Sequence, residues 1–220
     1  MDSLQHLVDA PRLLALAAAL GWASGIRLYA AVFLAGAAGF MGWIDLPHGL
    51  QILQHPGVLA ASGFMLFVEF FADKIPLVDT MWDAIHTVIR IPAGAALAAG
   101  ALGADSTAMG WIAALLGGSL AATSHAAKMT TRAAINTSPE PFSNIAMSLA
   151  EDGFVVFMLW LSATHPLLFA IALTLTLVLA VVLMVVLVKF LRTALRGLSR
   201  FFSGRGLPAG TMHVQENPHR

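Results

Sequence analysis

Between Leu66 and Pro92 the chain reads LFVEFFADKIPLVDTMWDAIHTVIRIP, setting Glu69, Asp73, Lys74, Asp79, Asp83, His86 and Arg90 in otherwise apolar surroundings. Carboxylates, an imidazole and a guanidinium within reach of one another can carry protons, hold ions or neutralise each other. Helical spacing lines up Glu69 with Asp73 on one face and Asp79, Asp83, His86 and Arg90 on another. Pro76 separates the two. A second stripe, His125, Lys128 and Arg132, repeats the i, i+3, i+7 spacing of Asp83, His86 and Arg90. An acid-bearing stripe facing a basic one neutralises both, as a water-poor interior demands. The third group is Glu151 and Asp152. Adjacent acids point about 100° apart on a helix, so one partner cannot hide both. Glu151 is the better interior candidate, with Arg27, Lys128 or His125 as its partner. Two carboxylates close together in low dielectric cannot both stay ionised, so one becomes able to carry a proton.

Other chemistries find less support. Asp79, Asp83 and His86 could offer oxygen and imidazole ligands from one face, yet there is no HExxH, paired-His or DxxDG-type pattern, so neither a metal nor a cofactor is expected. Ser124 beside His125 is only a sequence neighbour, and no GxSxG elbow occurs. With no P-loop, dinucleotide fingerprint or nucleic-acid motif, the residues lean away from an enzyme and away from RNA or DNA partners.

The elements that must position these groups are membrane spans. Hydrophobic residues make up 58% of the 220, charged ones 11%, and mean hydropathy is +0.80, against a charged fraction of about 25% in soluble domains. There is no cysteine, so disulfides and thiolate ligands are excluded. The zero net charge hides an asymmetry: Lys189, Arg192, Arg196, Arg200 and Arg205 occupy a stretch with no acid. That run reads as a cytoplasmic tail facing anionic lipid. A cleaved leader at Leu13–Leu20 is disfavoured, because only Arg12 precedes the run and the apolar stretch continues far beyond it.

Six apolar segments follow, predicting an all-α polytopic protein with a cytoplasmic N-terminus at 1–11, a helical membrane domain at 12–190 and a basic tail at 191–220. The first, about 12–43, exceeds the ~20 residues a bilayer needs. Its weak point is Gly21-Trp-Ala-Ser-Gly25, read either as close helix packing or as a broken helix lining a site. An external loop with Pro47, Gly49 and Pro56 leads to the second helix at 57–74. The third, 80–104, carries a Pro92 kink, and a loop at 105–109 precedes the fourth at 110–131. NTSPEPF at 136–142 is turn chemistry. The fifth helix takes 143–163, with Ser143 or Asn144 able to cap it. His165 and Pro166 lead into the sixth at 167–188. Six spans put both termini on one side, and Arg12, Lys74, Arg90, Lys128, Arg132 and the basic tail then all fall on the cytoplasmic side of an inner membrane. The count also suits a 3+3 inverted repeat with kinked or broken first and third helices, in which Glu69 and Glu151 occupy the middle helix of each half.

The runs EFFADKIPLVD, DAIHTVIRIPAG, GGSLAATSHAAKMTTRAAIN and SLAED resemble a bacterial integral-membrane family catalogued only as a domain of unknown function, over about residues 13 to 185. The resemblance implies no activity. It implies that Glu69, Asp73, Lys74, Asp79, His86, Arg90, His125, Lys128, Arg132, Glu151 and Asp152 are the family's characteristic polar positions. Such proteins tend to carry a more polar, Gly-Asn-like turn where this chain has Gly25-Ile-Arg27. The functional expectation is a transporter or channel for an anionic solute or phosphorylated lipid headgroup, drawn by Arg90, His125, Lys128 and Arg132, with Glu69 and Glu151 coupling protons or cations. A membrane scaffold whose charges serve only as ion pairs is the first alternative. An enzyme acting on a lipid phosphate is the second. Expected partners are the bilayer, anionic lipid at the tail and a homo-oligomer.

Overall fold

The computed structural model describes residues 2–75, 77–102, 107–137 and 141–203. Pro76, the first half of the expected 105–109 loop, part of the 136–142 turn and the tail beyond Ser203 lie outside the described residues. The described residues form six α-helices: α1 Asp2–Phe40, α2 Pro56–Ala72, α3 Val78–Leu102, α4 Thr107–Ile135, α5 Pro141–Thr164 and α6 Pro166–Ser203, with a 3-10 turn at His48–Gln54. Proline opens α2, α5 and α6, where its missing N–H has no partner to lose. At α2 the His55 ring adds a cap, its Nδ1 accepting from Gly57 N at 3.1 Å.

Five helical stretches are long and apolar enough to cross a bilayer, and a sixth arises if the 3-10 turn and α2, bent by 69°, count as one. Their outer faces are unshielded hydrocarbon, as in α6, where Leu167, Leu175, Val178, Leu179 and Val182 are exposed. Apolar surface on that scale is stable in lipid and not in water. This is a multi-pass helical membrane protein.

The first helix is where local sequence and fold meet. Arg27 has non-helical torsions, φ −141° and ψ 76°, and the chain reverses there. Before it, α1 runs alongside α4, Gly21 facing Gly117 and Gly25 facing Ala121 and Ser124. After it, α1 runs back along α2, with Phe33 against Gly63 and Gly36 against Leu59 and Leu53. Both outer ends consequently sit beside the C-terminal end of α3: Ala15 and Ala18 share a groove with Ala98 and Leu102, and Gly49 abuts Gly100. A helix that crossed straight through would put one of them at the other end. The expected weak point, Gly21 to Gly25, is thus the close-packed part, and the break falls two residues later. It follows that α2 to α6 alternate in direction while α1 enters and leaves at one end, so Ala10 lies at the opposite end of the bundle from the C-terminal part of α6. The expectation of two cytoplasmic termini assumed a first helix that crosses.

Small residues make the approach of α1, α3 and α4 possible. A Cβ built on Gly21 would stand 2.7 Å from Gly117 Cα, and one on Gly117 would collide with Ala98 Cβ and the Gly94 carbonyl. Neither obstacle can rotate away. Gly117→Val is therefore expected to cost at least the ~1–3 kcal/mol typical of overpacking, read as a lower midpoint of thermal unfolding in detergent. Gly118→Ala, where the nearest built contact is 3.4 Å, should leave the midpoint close to the parent's.

Candidate functional site

The buried faces of α3 and α4 are polar at one end and small or apolar at the other. On α3 the stripe runs Asp79, Asp83, His86, Arg90, then Gly94, Leu97, Ala98 and Ala101. On α4 it runs Ala113, Gly117, Ala121, then Ser124, His125, Lys128 and Arg132. The polar ends meet where α1 reverses, where α2 ends and where α5 begins. One ion-pair network results.

Arg27, fully buried, is its hub. Its Nη1 donates to Asp73 Oδ2. Its Nε lies 2.8 Å from Asp152 Oδ1 and its Nη2 3.6 Å from Glu151 Oε2. Nη2 also donates to Ser148 Oγ at 2.9 Å. Arg90 reaches Glu69 Oε1 at 2.5 Å and Asp83 Oδ1 at 2.7 Å. Lys128 sits between them, 2.9 Å from Asp73 Oδ2 and 3.0 Å from Asp83 Oδ1. Arg132 holds Glu151 Oε2 at 2.8 Å, approaches Asp79 Oδ2 at 3.9 Å, and donates to the Asn144 side chain and to the Asp73 carbonyl. Every helix from α1 to α5 contributes.

The break in α1 is part of the site. A helix end leaves carbonyls without intrahelical partners, and here α4 supplies them. Ser124 Oγ donates to Trp22 O at 2.7 Å, His125 Nδ1 lies 3.1 Å from Gly25 O, and Lys128 Nζ donates to Ile26 O at 3.2 Å. The negative end of the half-helix thereby faces the Lys128 ammonium, the favourable sense.

Eleven of the thirteen residues singled out from the sequence lie in this cluster: Arg27, Glu69, Asp73, Asp79, Asp83, Arg90, His125, Lys128, Arg132, Glu151 and Asp152. Two stand apart. His86 shares the stripe but not the ions; its Nδ1 faces Trp82 O at 2.8 Å, its Nε2 meets Tyr29 Oη at 3.1 Å, and its ring stacks on Trp82. Lys74 folds back over the Phe70 ring and donates to Phe70 O at 3.0 Å and Ser148 Oγ at 3.5 Å. Partial burial pulls its ammonium below the usual lysine range, with Asp152 pulling the other way. Four members were missed. Asn144 and Ser148 precede Asp152 at helical spacing of four on α5, a signal of the same kind as the one that found the other stripes. Asn136, which donates to both Asp79 oxygens at 3.3 Å, stands four after Arg132, and Thr87 four after Asp83, the same signal again.

Two features set the chemistry. Among the described residues, six carboxylates (Glu69, Asp73, Asp79, Asp83, Glu151, Asp152) face four cationic side chains paired to them (Arg27, Arg90, Lys128, Arg132), and Lys74 at the border, acting on Asp152 without an ion pair, is a fifth; with Lys74 counted and neutral imidazoles there is one negative charge too many. In addition, Glu69 Oε2, Asp73 Oδ1, Asp83 Oδ2 and Asp152 Oδ2, and on the basic side the Nε atoms of Arg27, Arg90 and Arg132, are buried with no hydrogen-bond partner, a costly state on either side. Among the described residues no group of three or more His, Cys, Asp or Glu is arranged to hold a metal ion. The Asp152 and Glu151 side chains are 24% and 11% exposed, and Asp152 borders a groove of about 400 Å³ between the second limb of α1, α2 and α5.

The family model described as Domain of unknown function (DUF4126) matches residues 14–186. The chain belongs to this family. The matched region takes in every member of the network, from Arg27 to Asp152, and ends before the basic part of α6. Searches of the curated proteins and of the solved structures found no match.

Proposed function

We propose that this DUF4126 protein is a transport protein of the bacterial inner membrane whose translocation site is the charge network at the reversal of α1. The observation that carries the reading is the broken helix itself, ending inside the membrane domain with its carbonyls and Arg27 committed to ionisable partners. Discontinuous helices are tolerated at membrane depth where they line a binding site. The excess carboxylate supplies a means of coupling. Each arginine is tied to an acid, so an anionic solute or phosphorylated headgroup can win Arg90 or Lys128 only if a carboxylate first gives up its charge. Protonation does that, and proton and anion would then travel together. The basic end of α6 fits the cytoplasmic side by the positive-inside rule, which puts Ala10 outside. The same basic residues, Lys189 and Arg192 among them, would meet anionic lipid.

Proteoliposomes with a proton gradient, loaded in turn with inorganic phosphate and with small carboxylates, test this. Faster flux than in protein-free vesicles, lost in Glu69→Gln, Lys128→Ala and Glu151→Gln, is the expected result. Parent protein no faster than empty vesicles with every anion would sink the reading. One observation favours a membrane scaffold instead: Arg27, Arg90, Lys128 and Arg132 are each at most 4% exposed. A scaffold would keep its function when an acid and its base are replaced together by apolar residues.

The reversal in α1 has its own test. With no native cysteine, single cysteines report sidedness. A membrane-impermeant maleimide is expected to label Ala10→Cys and Trp43→Cys from the same side, and Thr137→Cys from the other. Labelling of Ala10→Cys with Thr137→Cys would mean that α1 crosses.

A further inference from the structure

Among the ionisable side chains of the network, His125 is built to exist in two protonation states without moving a heavy atom. Its Nδ1 faces the Gly25 carbonyl, a pure acceptor, at 3.1 Å, closer than the Arg90 Nη1 donor at 3.4 Å, so the hydrogen is assigned to Nδ1. Its Nε2 lies 2.7 Å from Thr87 Oγ1, and that hydroxyl has a second acceptor, the Asp83 carbonyl, at 3.0 Å. One hydroxyl hydrogen cannot serve both. If it points at Nε2, the imidazole is neutral. If it points at Asp83 O, the Thr87 oxygen is free to accept from an Nε2 that has gained a proton. Both arrangements are fully hydrogen-bonded. In a ring only 2% exposed, that equivalence means that neither state leaves a ring nitrogen without a hydrogen bond.

The surroundings set the balance. From α3 the ring meets Arg90, whose Nη1 is 3.4 Å from Nδ1, and beyond it Asp83. Lys128 stands one turn on along α4 and makes the link to Asp73, Asp83 and Glu151. α1 offers the Gly25 carbonyl, α5 offers Glu151 through Lys128, and α6 carries no ionisable residue between Pro166 and Val188. Arg90 and Lys128 oppose a cationic ring; Asp83, the helix-end carbonyl and the one uncompensated carboxylate favour it. One proton brings the cluster to neutrality.

We propose that the His125 imidazole, switched by the Thr87 hydroxyl, holds an exchangeable proton for the network and is the donor from which a carboxylate is protonated when it releases its cation. The Nε2 lone pair takes the proton, forming an N–H bond, while the Thr87 O–H turns from Nε2 to the Asp83 carbonyl; release reverses both. This rests on the transport reading and names its coupling ion.

The test is nitrogen NMR of the full-length protein, labelled at histidine and held in lipid nanodiscs. A resonance absent from His125→Gln should pass from one protonated nitrogen to two as the pH is lowered from about 8 to about 5, the range over which imidazoles change charge. Thr87→Val deprives the cationic form of its acceptor and should weaken proton uptake at that resonance by roughly tenfold, as loss of one charged hydrogen bond predicts. Thr87→Ser should restore it. An imidazole in one state across the whole range, or a Thr87→Val midpoint equal to the parent's, overturns the proposal. If His125→Gln does not fold, the Thr87→Val and Thr87→Ser pair decides, since only the resonance next to residue 87 responds. Flux is measured separately. A titrating His125 in a protein that moves no anion would refute the transport reading and leave the proton site standing.

Discussion

Arg27→Met is expected to yield little folded protein, and what folds should be less stable than the parent by about 3–5 kcal/mol, the cost of removing one partner from a buried ion pair. The partners do not suffer equally. Asp73 keeps Lys128 at 2.9 Å and Glu151 keeps Arg132 at 2.8 Å, but Asp152 loses its 2.8 Å contact with the guanidinium. Ser148 is also left with only the longer 3.5 Å contact from Lys74. Lysine at this position keeps the charge but reaches only one or two of these groups, because an ammonium is a point donor and a guanidinium a fork. Arg27→Lys should therefore fall between. Adding Asp152→Leu to Arg27→Met removes the most exposed of the orphaned charges and should recover part of the loss, a coupling that a double-mutant cycle reads directly. Thermal unfolding in detergent, followed by size exclusion, measures the parent, Arg27→Met, Asp152→Leu, the double variant and Arg27→Lys. An Arg27→Met variant with the parent's midpoint would mean that the guanidinium is not the hub.

Arg27 also marks how far the sequence could be read. Its type and place in an apolar segment identified it as a partner for Glu151, yet not as the end of a half-helix. The Gly21–Gly25 pattern marks a place where the helix could break, but nothing local says that the chain reverses: Gly25-Ile-Arg27 holds no proline, and the glycines at 21 and 25 serve contact with α4. The break is stabilised from outside, by Ser124, His125 and Lys128 bonding the carbonyls that it frees. Those residues lie about 100 positions away, so no window along the chain contains the cause. The stripes on α3 and α4 were legible for the opposite reason, because a spacing of three and four is fixed by the helix alone. Spacing says which residues share a face and not what each will touch. His86 illustrates the limit: it stands in line with Asp83 and Arg90 but packs on Trp82 and Tyr29.

The surplus of acid makes a sharper prediction, because acids and bases in the network should not be interchangeable in their effects. Glu69 and Arg90 form one contact, 2.5 Å between Oε1 and Nη2, with neither side chain exposed. Removing the base, in Arg90→Gln, leaves Glu69 without its ion pair, leaves Asp83 to Lys128 alone and raises the excess from one negative charge to two. Removing the acid, in Glu69→Gln, keeps the shape, leaves Arg90 its 2.7 Å bond to Asp83 and brings the count to zero. A simple ion pair predicts similar losses for the two changes. The network predicts a large loss for Arg90→Gln, about 3 kcal/mol or more by the same reasoning as for Arg27, and a small loss or a gain for Glu69→Gln. The unfolding midpoints of the two purified variants separate these outcomes. Function should run the other way: if protonation of a carboxylate is what frees a cation for the anion, a glutamine at 69 is locked in the uncharged form and cannot cycle. A well-folded Glu69→Gln protein without proton-driven flux would show that stability and turnover draw on the same charge in opposite senses. Equal loss of stability in both variants would mean that the sixth carboxylate is already compensated, and with it the argument for a coupled proton would fall.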